Sequence, residues 1–162
     1  MILSIFTLAH VVLSLIGIGA GLIVMVGFLA ERPLHGATTL FLWTTVLTSV
    51  TGYMFPYHGL KPSYVVGGIS LVFLALALFA RNGRQLVGAW RRTYVVSAMI
   101  ALYLNIFVLI AQLFMKVPAL KALAPTQTEP PFKLTQLTAL VIFFILTILS
   151  AIRFRATAVR TV

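Results

Sequence analysis

Long apolar runs dominate this sequence, and their length limits the folds that the chain can adopt. Of its 162 residues, 61% are hydrophobic and only 9% are charged, and the mean hydropathy is +1.10. A water-soluble domain of this size needs a more highly charged surface around its core. Apolar runs of about 20 residues instead have the length that a helix needs to cross a bilayer. The sequence therefore predicts a single all-α integral membrane domain over residues 1–162.

The breaks between the apolar runs predict a bundle of five transmembrane helices. Prolines, glycines and basic residues interrupt the apolar pattern and end each helix. The predicted spans cover residues 2–30, 37–57, 64–80, 93–115 and 134–154. The first run exceeds the core of a signal peptide and has no basic residues before it, so we expect it to be retained as a span. The third run is the shortest, and its glycines leave a re-entrant segment as the alternative.

The basic residues predict the orientation and the partners of this bundle. The chain has 12 Lys and Arg against two acidic residues, a formal net charge of +10. With five spans, eight arginines fall on one side of the membrane and four lysines on the other. The positive-inside rule then places the N-terminus outside and the C-terminus inside a bacterial inner membrane. We expect anionic lipid headgroups to bind at four of the arginines: Arg81, Arg84, Arg91 and Arg92.

Several other functions are disfavoured by the composition. No nucleic-acid partner is expected, because the basic residues do not belong to a soluble domain. Cysteine is absent, which excludes disulfides and thiolate chemistry. The three histidines and two glutamates lack metal-ligand spacing, and no GxSxG motif is present. We therefore predict no catalytic residues and no metal site, and an enzyme is the less favoured class. A protein partner or a homo-oligomer stays open.

Polar residues in the first two runs are the first candidates for a binding site. His10 shares one helical face with Gly17 and Gly21, and these two glycines form a small-xxx-small element for close helix packing. His10 then either bonds a neighbouring helix or faces a ligand. Tyr53 and His58 belong to an aromatic group around a proline at the end of the second run. Such a group is typical of an interfacial belt, but it also suits a flat apolar ligand.

Amide side chains mark the fourth and fifth runs. Asn105 and Gln112 lie on one stripe of the fourth helix, and Gln136 opens the fifth at the same side. A bare amide in hydrocarbon costs several kcal/mol, so these groups either bond another helix or line a cavity. The proline-rich loop between the two runs carries Glu129. Fixed φ angles stiffen this loop, which predicts a lid or a docking surface. Glu129 either pairs with a lysine or with His58, or is solvated.

Together these residues predict an outward-facing, mostly apolar cavity that binds a hydrophobic ligand such as a lipid, a quinone or a porphyrin. Its predicted lining is His10, Tyr53, His58, Asn105, Gln112 and Gln136, with the loop around Glu129 as its cap. An accessory subunit of a larger membrane complex is the second non-catalytic role. The alternative class is a haem-binding electron-transfer protein or a small transporter. A bis-histidine haem is disfavoured, because the histidines differ in predicted depth.

Overall fold

The computed structural model describes residues 2–55 and 62–155, and these ranges contain helices and no strands. His58 and the prolyl and tyrosyl residues before it lie outside the described residues, as does the C-terminal tail after residue 155. A turn of π-helix over Phe79–Gly83 continues the third helix directly. In chain order the helices are α1 (Ile2–Leu29), α2 (His35–Gly52), α3 (Pro62–Leu78), α4 (Ala89–Lys116), the short α5 (Pro118–Leu123) and α6 (Pro130–Arg153).

Within residues 2–55 and 62–155, the helices confirm the all-α prediction, and four helical segments are long and apolar enough to cross a membrane. They are Ile5–Leu29, Tyr64–Gly83, Ala89–Lys116 and Pro130–Arg153. The helix α2 corresponds to the second predicted span, but seven of its 18 residues carry a hydroxyl group and lower its apolar character. Length and composition therefore single out four spans, and the fifth stays a prediction. The third predicted span is a continuous helix within the described residues.

The helix boundaries differ from the prediction where a helix extends beyond its apolar run. The helices α4 and α6 each begin four residues before the predicted span, at Ala89 and at Pro130. A proline at the first helical position is favourable, because its missing N–H would have no partner there. The helix α2 ends at Gly52, five residues before the predicted boundary. Hydropathy locates the apolar core of a helix, whereas capping residues decide where the helix ends.

The helix α4 lies at the centre of the bundle and packs against α1, α2, α3 and α6. Its residues Val95, Ala98 and Leu102 are at most 1% exposed. The helices α1 and α2 form an antiparallel pair along nearly their whole lengths. We call the end of the bundle where α1 begins and α2 ends the His10 end. The opposite end, where α3 ends and α4 begins, is the Arg84 end.

A glycine notch on α1 lets three helices meet at the middle of the bundle. A Cβ atom on Gly21 would lie 2.5 Å from Leu102 Cδ1 of α4 and 2.9 Å from the Phe41 ring of α2. A Cβ atom on Gly17 would lie 3.0 Å from Thr44 Oγ1 of α2. The predicted packing role of this small-xxx-small element is confirmed, because only a glycine fits at position 21 without displacing its neighbours.

Aromatic residues hold the helices together at the Arg84 end. The Phe28 ring of α1 lies 5.5 Å from the Tyr94 ring of α4 and 4.9 Å from the Phe154 ring that follows α6. All three side chains are at most 3% exposed. Tilted and edge-to-face ring pairs at these distances are favourable beyond their buried area. The three helices are therefore tied at this end without any hydrogen bond between the rings.

Candidate functional site

His10 makes the main polar contact between α1 and α2 at the His10 end. Its Nδ1 atom lies 2.9 Å from Thr51 Oγ1, and Thr51 Oγ1 lies 2.7 Å from the backbone oxygen of Leu47. The hydroxyl has one proton, and it donates that proton to the Leu47 carbonyl of its own helix. Nδ1–H of His10 therefore donates to Thr51. The Nε2 atom then carries the free lone pair of the neutral ring.

Two phenylalanine rings form a chain of contacts that begins at the half-buried imidazole. The Phe55 ring lies 5.1 Å from the His10 ring in an edge-to-face arrangement, and the Phe6 ring lies 5.0 Å from Phe55. Phe6 and His10 are one helical turn apart on α1, so both reach the end of α2. Sequence reasoning missed Phe6, although its i, i+4 spacing from His10 was a usable signal. The group of Phe6, His10, Thr51 and Phe55 is called the His10 cluster below.

Tyr53 bonds the start of α3 rather than the His10 cluster. Its hydroxyl donates to the Tyr64 backbone oxygen at 2.6 Å, and the Tyr64 hydroxyl donates to the Phe55 backbone oxygen at 3.3 Å. The two tyrosine rings lie 5.6 Å apart. The Tyr53 hydroxyl also lies close to Gly68, where a Cβ atom would approach it to 3.0 Å. Tyr53 therefore closes the connection between α2 and α3.

Asn105 bonds α2 at the glycine notch. Its Nδ2 donates to Thr45 Oγ1 at 3.3 Å, and Thr45 is fully buried. A Cβ atom on Gly17 would lie 3.3 Å from the same Thr45 oxygen. Since Gly17 follows His10 by seven residues, Asn105 lies roughly 10 Å deeper along the α1 axis than the imidazole. The amide acts here as an interhelical hydrogen-bond donor.

Two glutamines donate hydrogen bonds to carbonyl groups of α4 that lie one helical turn apart. Gln136 Nε2 donates to the Phe107 oxygen at 3.1 Å, and Gln127 Nε2 donates to the Ala111 oxygen at 2.7 Å. Gln127 was not predicted, and it reaches α4 from a left-handed backbone with φ of 60°. Gln136 is 9% exposed, and its Oε1 atom has no hydrogen-bond partner among the described residues. Gln112 is half-buried, and no hydrogen bond joins its amide to another described residue.

Glu129 is held within its own loop. Its carboxylate accepts hydrogen bonds from Thr126 Oγ1 at 2.8 Å, from the Thr126 N–H at 3.2 Å and from the Thr128 N–H at 3.0 Å. Burial alone would raise the pKa of the Glu129 carboxyl, but these hydrogen bonds together outweigh burial and hold the pKa below its ordinary value. Within the described part of the chain, none of these bonds involves a lysine. The carboxylate stiffens the loop that Gln127 fixes to α4.

Most of the predicted site residues are hydrogen-bonded to different partners rather than to one another. His10 and Asn105 both bond α2 but at different depths, Tyr53 bonds α3, and Gln136 bonds α4. In the described ranges, no hydrogen bond or ring contact joins His10 to Asn105, Gln112 or Gln136. The shared cavity stays a prediction, and the His10 cluster is the compact part of it.

A metal or haem site requires ligand side chains that lie close together. No group of three or more His, Asp or Glu side chains is close enough to hold a metal ion within the described ranges. His35 begins α2, 16 residues before Thr51, so it lies roughly 24 Å from the level of His10. These two histidines cannot ligate one haem. His58, the third histidine, lies outside the described residues.

In the part of the chain that the structure describes, the fold is helical, with four helices that are long and apolar enough to span a membrane. Comparison of the chain with protein-family models, with characterised proteins and with solved structures finds no match. A function must therefore be inferred from the chain's own residues and from their geometry.

Proposed function

We propose that the protein is a non-catalytic, multi-pass protein of a bacterial inner membrane that binds a hydrophobic ligand at the His10 cluster. The observation that carries this proposal is the oriented imidazole, whose Nδ1 is bonded to Thr51 and whose Nε2 has no hydrogen-bond partner among the described residues. An ionisable side chain at membrane depth is costly and is most often functional. Here it lies against the Phe55 ring, which in turn contacts Phe6, and such an aromatic surface suits an apolar ligand with one polar group.

The exposed face of α2 supports a fifth span. Four large apolar side chains on this face are between 46% and 54% exposed, namely Leu40, Trp43, Leu47 and Val50. Their spacing of three and four residues places them on one helical stripe. Three hydroxyl groups of α2 are satisfied within the helix, since Thr39, Thr44 and Thr51 each donate to the carbonyl four residues earlier. The buried Thr48 hydroxyl has no hydrogen-bond partner among the described residues. A helix with an apolar outer face and internally bonded hydroxyls can cross a bilayer despite its composition.

Five spans put the termini on opposite sides of the membrane. The arginine-rich Arg84 end then faces the cytoplasm, and the His10 end opens to the exterior. A reporter fused after Ala124, in the loop between α4 and α6, tests this topology. It should behave as an exterior fusion, and a cytoplasmic result would refute the proposed topology, since either an inverted bundle or a missing span before Ala124 would produce it.

The tautomer of His10 specifies the polar group of the ligand. Because Nε2 carries a lone pair, it accepts a hydrogen bond from a ligand hydroxyl. A quinol or the hydroxyl of a lipid headgroup has such a donor, whereas a quinone offers only acceptors. The Phe6 and Phe55 rings contact the apolar body of the ligand. Haem iron would also use this lone pair, with Thr51 orienting the ring from behind, and the same experiment distinguishes the two.

The proposal is tested with decyl-ubiquinol and decyl-ubiquinone as paired probes. Binding to the detergent-solubilised protein is measured by equilibrium dialysis, under argon for the quinol. We expect the quinol to bind more tightly. His10→Phe, which keeps an aromatic ring but removes both nitrogens, should weaken quinol binding by about fivefold to tenfold through loss of one hydrogen bond.

Ser14→Ala is the matched control. Ser14 lies one turn along the same face of α1, and its hydroxyl donates only to the His10 backbone oxygen at 2.8 Å. Its removal should leave quinol binding unchanged. Equal binding of both probes, or equal binding by wild type and His10→Phe, would exclude the His10 cluster as the site. A Soret band that disappears in His10→Phe would replace the quinol-like ligand with haem. Absence of any bound small molecule would favour an accessory role in a membrane complex.

A further inference from the structure

The loop between α3 and α4 forms an ordered cationic surface at the Arg84 end. The Arg84 guanidinium lies over two rings, 5.6 Å from the Phe79 centroid and 5.3 Å from the Trp90 centroid. The two rings are themselves 5.3 Å apart and nearly perpendicular. Cation–π contacts with both rings hold the guanidinium in a defined place although the side chain is exposed.

Arg84 has a different environment from the other three arginines of this region. Arg81 donates from both terminal nitrogens to Thr39 Oγ1 of α2 at 3.3 Å, so it joins α3 to α2. Arg91 is half-buried and Arg92 is exposed, in the first turn of α4. Arg84, by contrast, lines a cavity. Of the four arginines predicted to contact headgroups, we therefore select Arg84 as the candidate, because two rings hold its side chain and it lines a cavity.

That cavity has a volume of about 440 Å³ and is lined by Gly83, Arg84, Gln85, Val87 and Trp90. The cavity is open rather than enclosed, as contact with one group of a larger molecule requires. The backbone around it is strained, since Gln85 and Leu86 both have positive φ angles of 47° and 59°. Such angles cost of order 1 kcal/mol each in residues with a side chain and persist where the surroundings impose them.

The charge of this surface is not compensated by the protein. The first turn of α4 contains no acidic residue, and its N-cap residue, Gly88, has no side chain to accept a hydrogen bond. Of the chain's two acidic residues, Glu129 lies at the opposite end. Glu31 forms no ion pair with an arginine within the described ranges. No carboxylate among the described residues therefore competes with an external anion for Arg84 and the positive end of the α4 helix dipole.

Apolar side chains beside the cavity point to a lipid as the source of that anion. Val87 lines the cavity and is 70% exposed, and Phe79 beneath Arg84 is 49% exposed. Tryptophan is favoured at the boundary between headgroups and acyl chains. A free phosphate would contact the guanidinium but would leave these apolar side chains in water. A phospholipid can contact both the guanidinium and the apolar side chains, with its phosphate at Arg84 and an acyl chain along Val87 and Phe79.

We infer that the cavity between the π-helical turn and α4 is a binding site for the phosphodiester group of an anionic phospholipid. Arg84 donates to the phosphate oxygens through its planar, bidentate guanidinium. Trp90 and Phe79 hold the guanidinium in place. This site lies at the end of the bundle opposite to the His10 cluster, so it does not depend on the ligand proposed there.

Fluorescence quenching by brominated lipids tests the inference directly. The chain has two tryptophans, and Trp43→Phe leaves Trp90 as the single reporter. The protein is placed in vesicles of phosphatidylcholine with phosphatidylglycerol, in which either one or the other lipid carries bromine near the headgroup. We expect Trp90 to be quenched preferentially by brominated phosphatidylglycerol. Arg84→Gln should reduce the preference by about tenfold, since a charge-assisted hydrogen-bond pair is lost.

Two further variants separate a specific site from general charge attraction. Arg92→Gln removes the same charge from an exposed residue outside the cavity and should retain the preference for phosphatidylglycerol. Arg84→Lys keeps the charge but lacks the planar fork, and it should lose most of that preference. Equal losses in Arg84→Gln and Arg92→Gln would overturn the inference. Inorganic phosphate should not relieve the quenching more than sodium chloride at equal ionic strength. Specific relief would establish a free-anion site and refute the lipid assignment.

Discussion

The glycine notch of α1 gives a prediction that two neighbouring glycines can test against each other. A Cβ atom at Gly21 would lie 2.5 Å from Leu102 Cδ1, about 1 Å closer than the shortest favourable carbon–carbon contact. Leu102 and Phe41 are both 1% exposed, so neither has free space into which to move. At Gly19, two residues earlier, a Cβ atom would meet nothing within 4 Å. The two positions therefore differ in packing but share the same helix.

We expect Gly19→Ala and Gly21→Ala to change stability in opposite directions. Replacing glycine by alanine in a helix stabilises it by about 0.5–1 kcal/mol through backbone entropy. Gly19→Ala should gain this amount in full. Gly21→Ala gains the same entropy but overpacks the junction, which typically costs about 1–3 kcal/mol. The entropy gain cancels in the comparison, so the free energies of unfolding of the two variants should differ by about 1–3 kcal/mol.

The assay is unfolding in mixed micelles of a mild detergent and sodium dodecyl sulfate, followed by circular dichroism. Gly21→Ala should unfold at a lower dodecyl sulfate fraction than wild type, and Gly19→Ala at an equal or higher fraction. Larger side chains extend the test, because Gly19→Leu remains tolerable on an exposed face whereas Gly21→Leu does not. If the two alanine variants unfolded together, the three-helix junction at Gly21 would be wrong.

Three other predictions concern the hydrogen bonds and ring contacts described above. The coupling energy between Asn105 and Thr45, from a double-mutant cycle of Asn105→Leu and Thr45→Val, should be about 0.6 kcal/mol; a value near zero would show that the amide serves another partner. The depressed pKa of Glu129 means that its contribution to the loop is fully present above its ordinary pKa of 4.5 and is lost as the pH falls through the lower folded value. Amide protection factors in the loop should therefore fall only below that pH, and Glu129→Gln should abolish the transition. Gly83→Ala would place a methyl group 3.0 Å from the Phe79 ring, displace that ring and shift the emission of the neighbouring tryptophan, whereas unchanged emission would contradict the packing of the π-helical turn.

The helical class was predictable from sequence because lipid leaves few choices. A backbone in hydrocarbon must satisfy its own hydrogen bonds, and apolar runs of this length then form helices. The packing face at Gly17 and Gly21 was also predictable, since small residues four apart permit close approach. The second span was harder to assign. Its threonines lower hydropathy, but the bonds that return their hydroxyls to α2 cannot be read from composition.

The partners of the polar side chains were not predictable. His10 bonds Thr51 because the antiparallel register of α1 and α2 brings those two levels together. That register depends on the connection at Gly27, where a Cβ atom would lie 2.9 Å from the Arg32 backbone oxygen. A single sequence gives helical phase but not the offset between two helices. For the same reason Gln127 was missed, since its contact with α4 requires the loop to fold back.

The antiparallel pairing of α1 and α2 has a consequence for the order in which the protein assembles. The two helices touch at the His10 end, at the glycine notch and at the connection between them, and both leave the ribosome before α4 is synthesised. Their hairpin carries its own polar contact at His10 and its own close packing at Gly17, so it can form in the membrane as a first unit. The central helix α4 then packs into a groove that already exists, with Leu102 and Asn105 contacting the hairpin, and α6 follows. We therefore expect the hairpin to template the bundle, and defects at Gly21 to act when α4 docks rather than when α1 inserts.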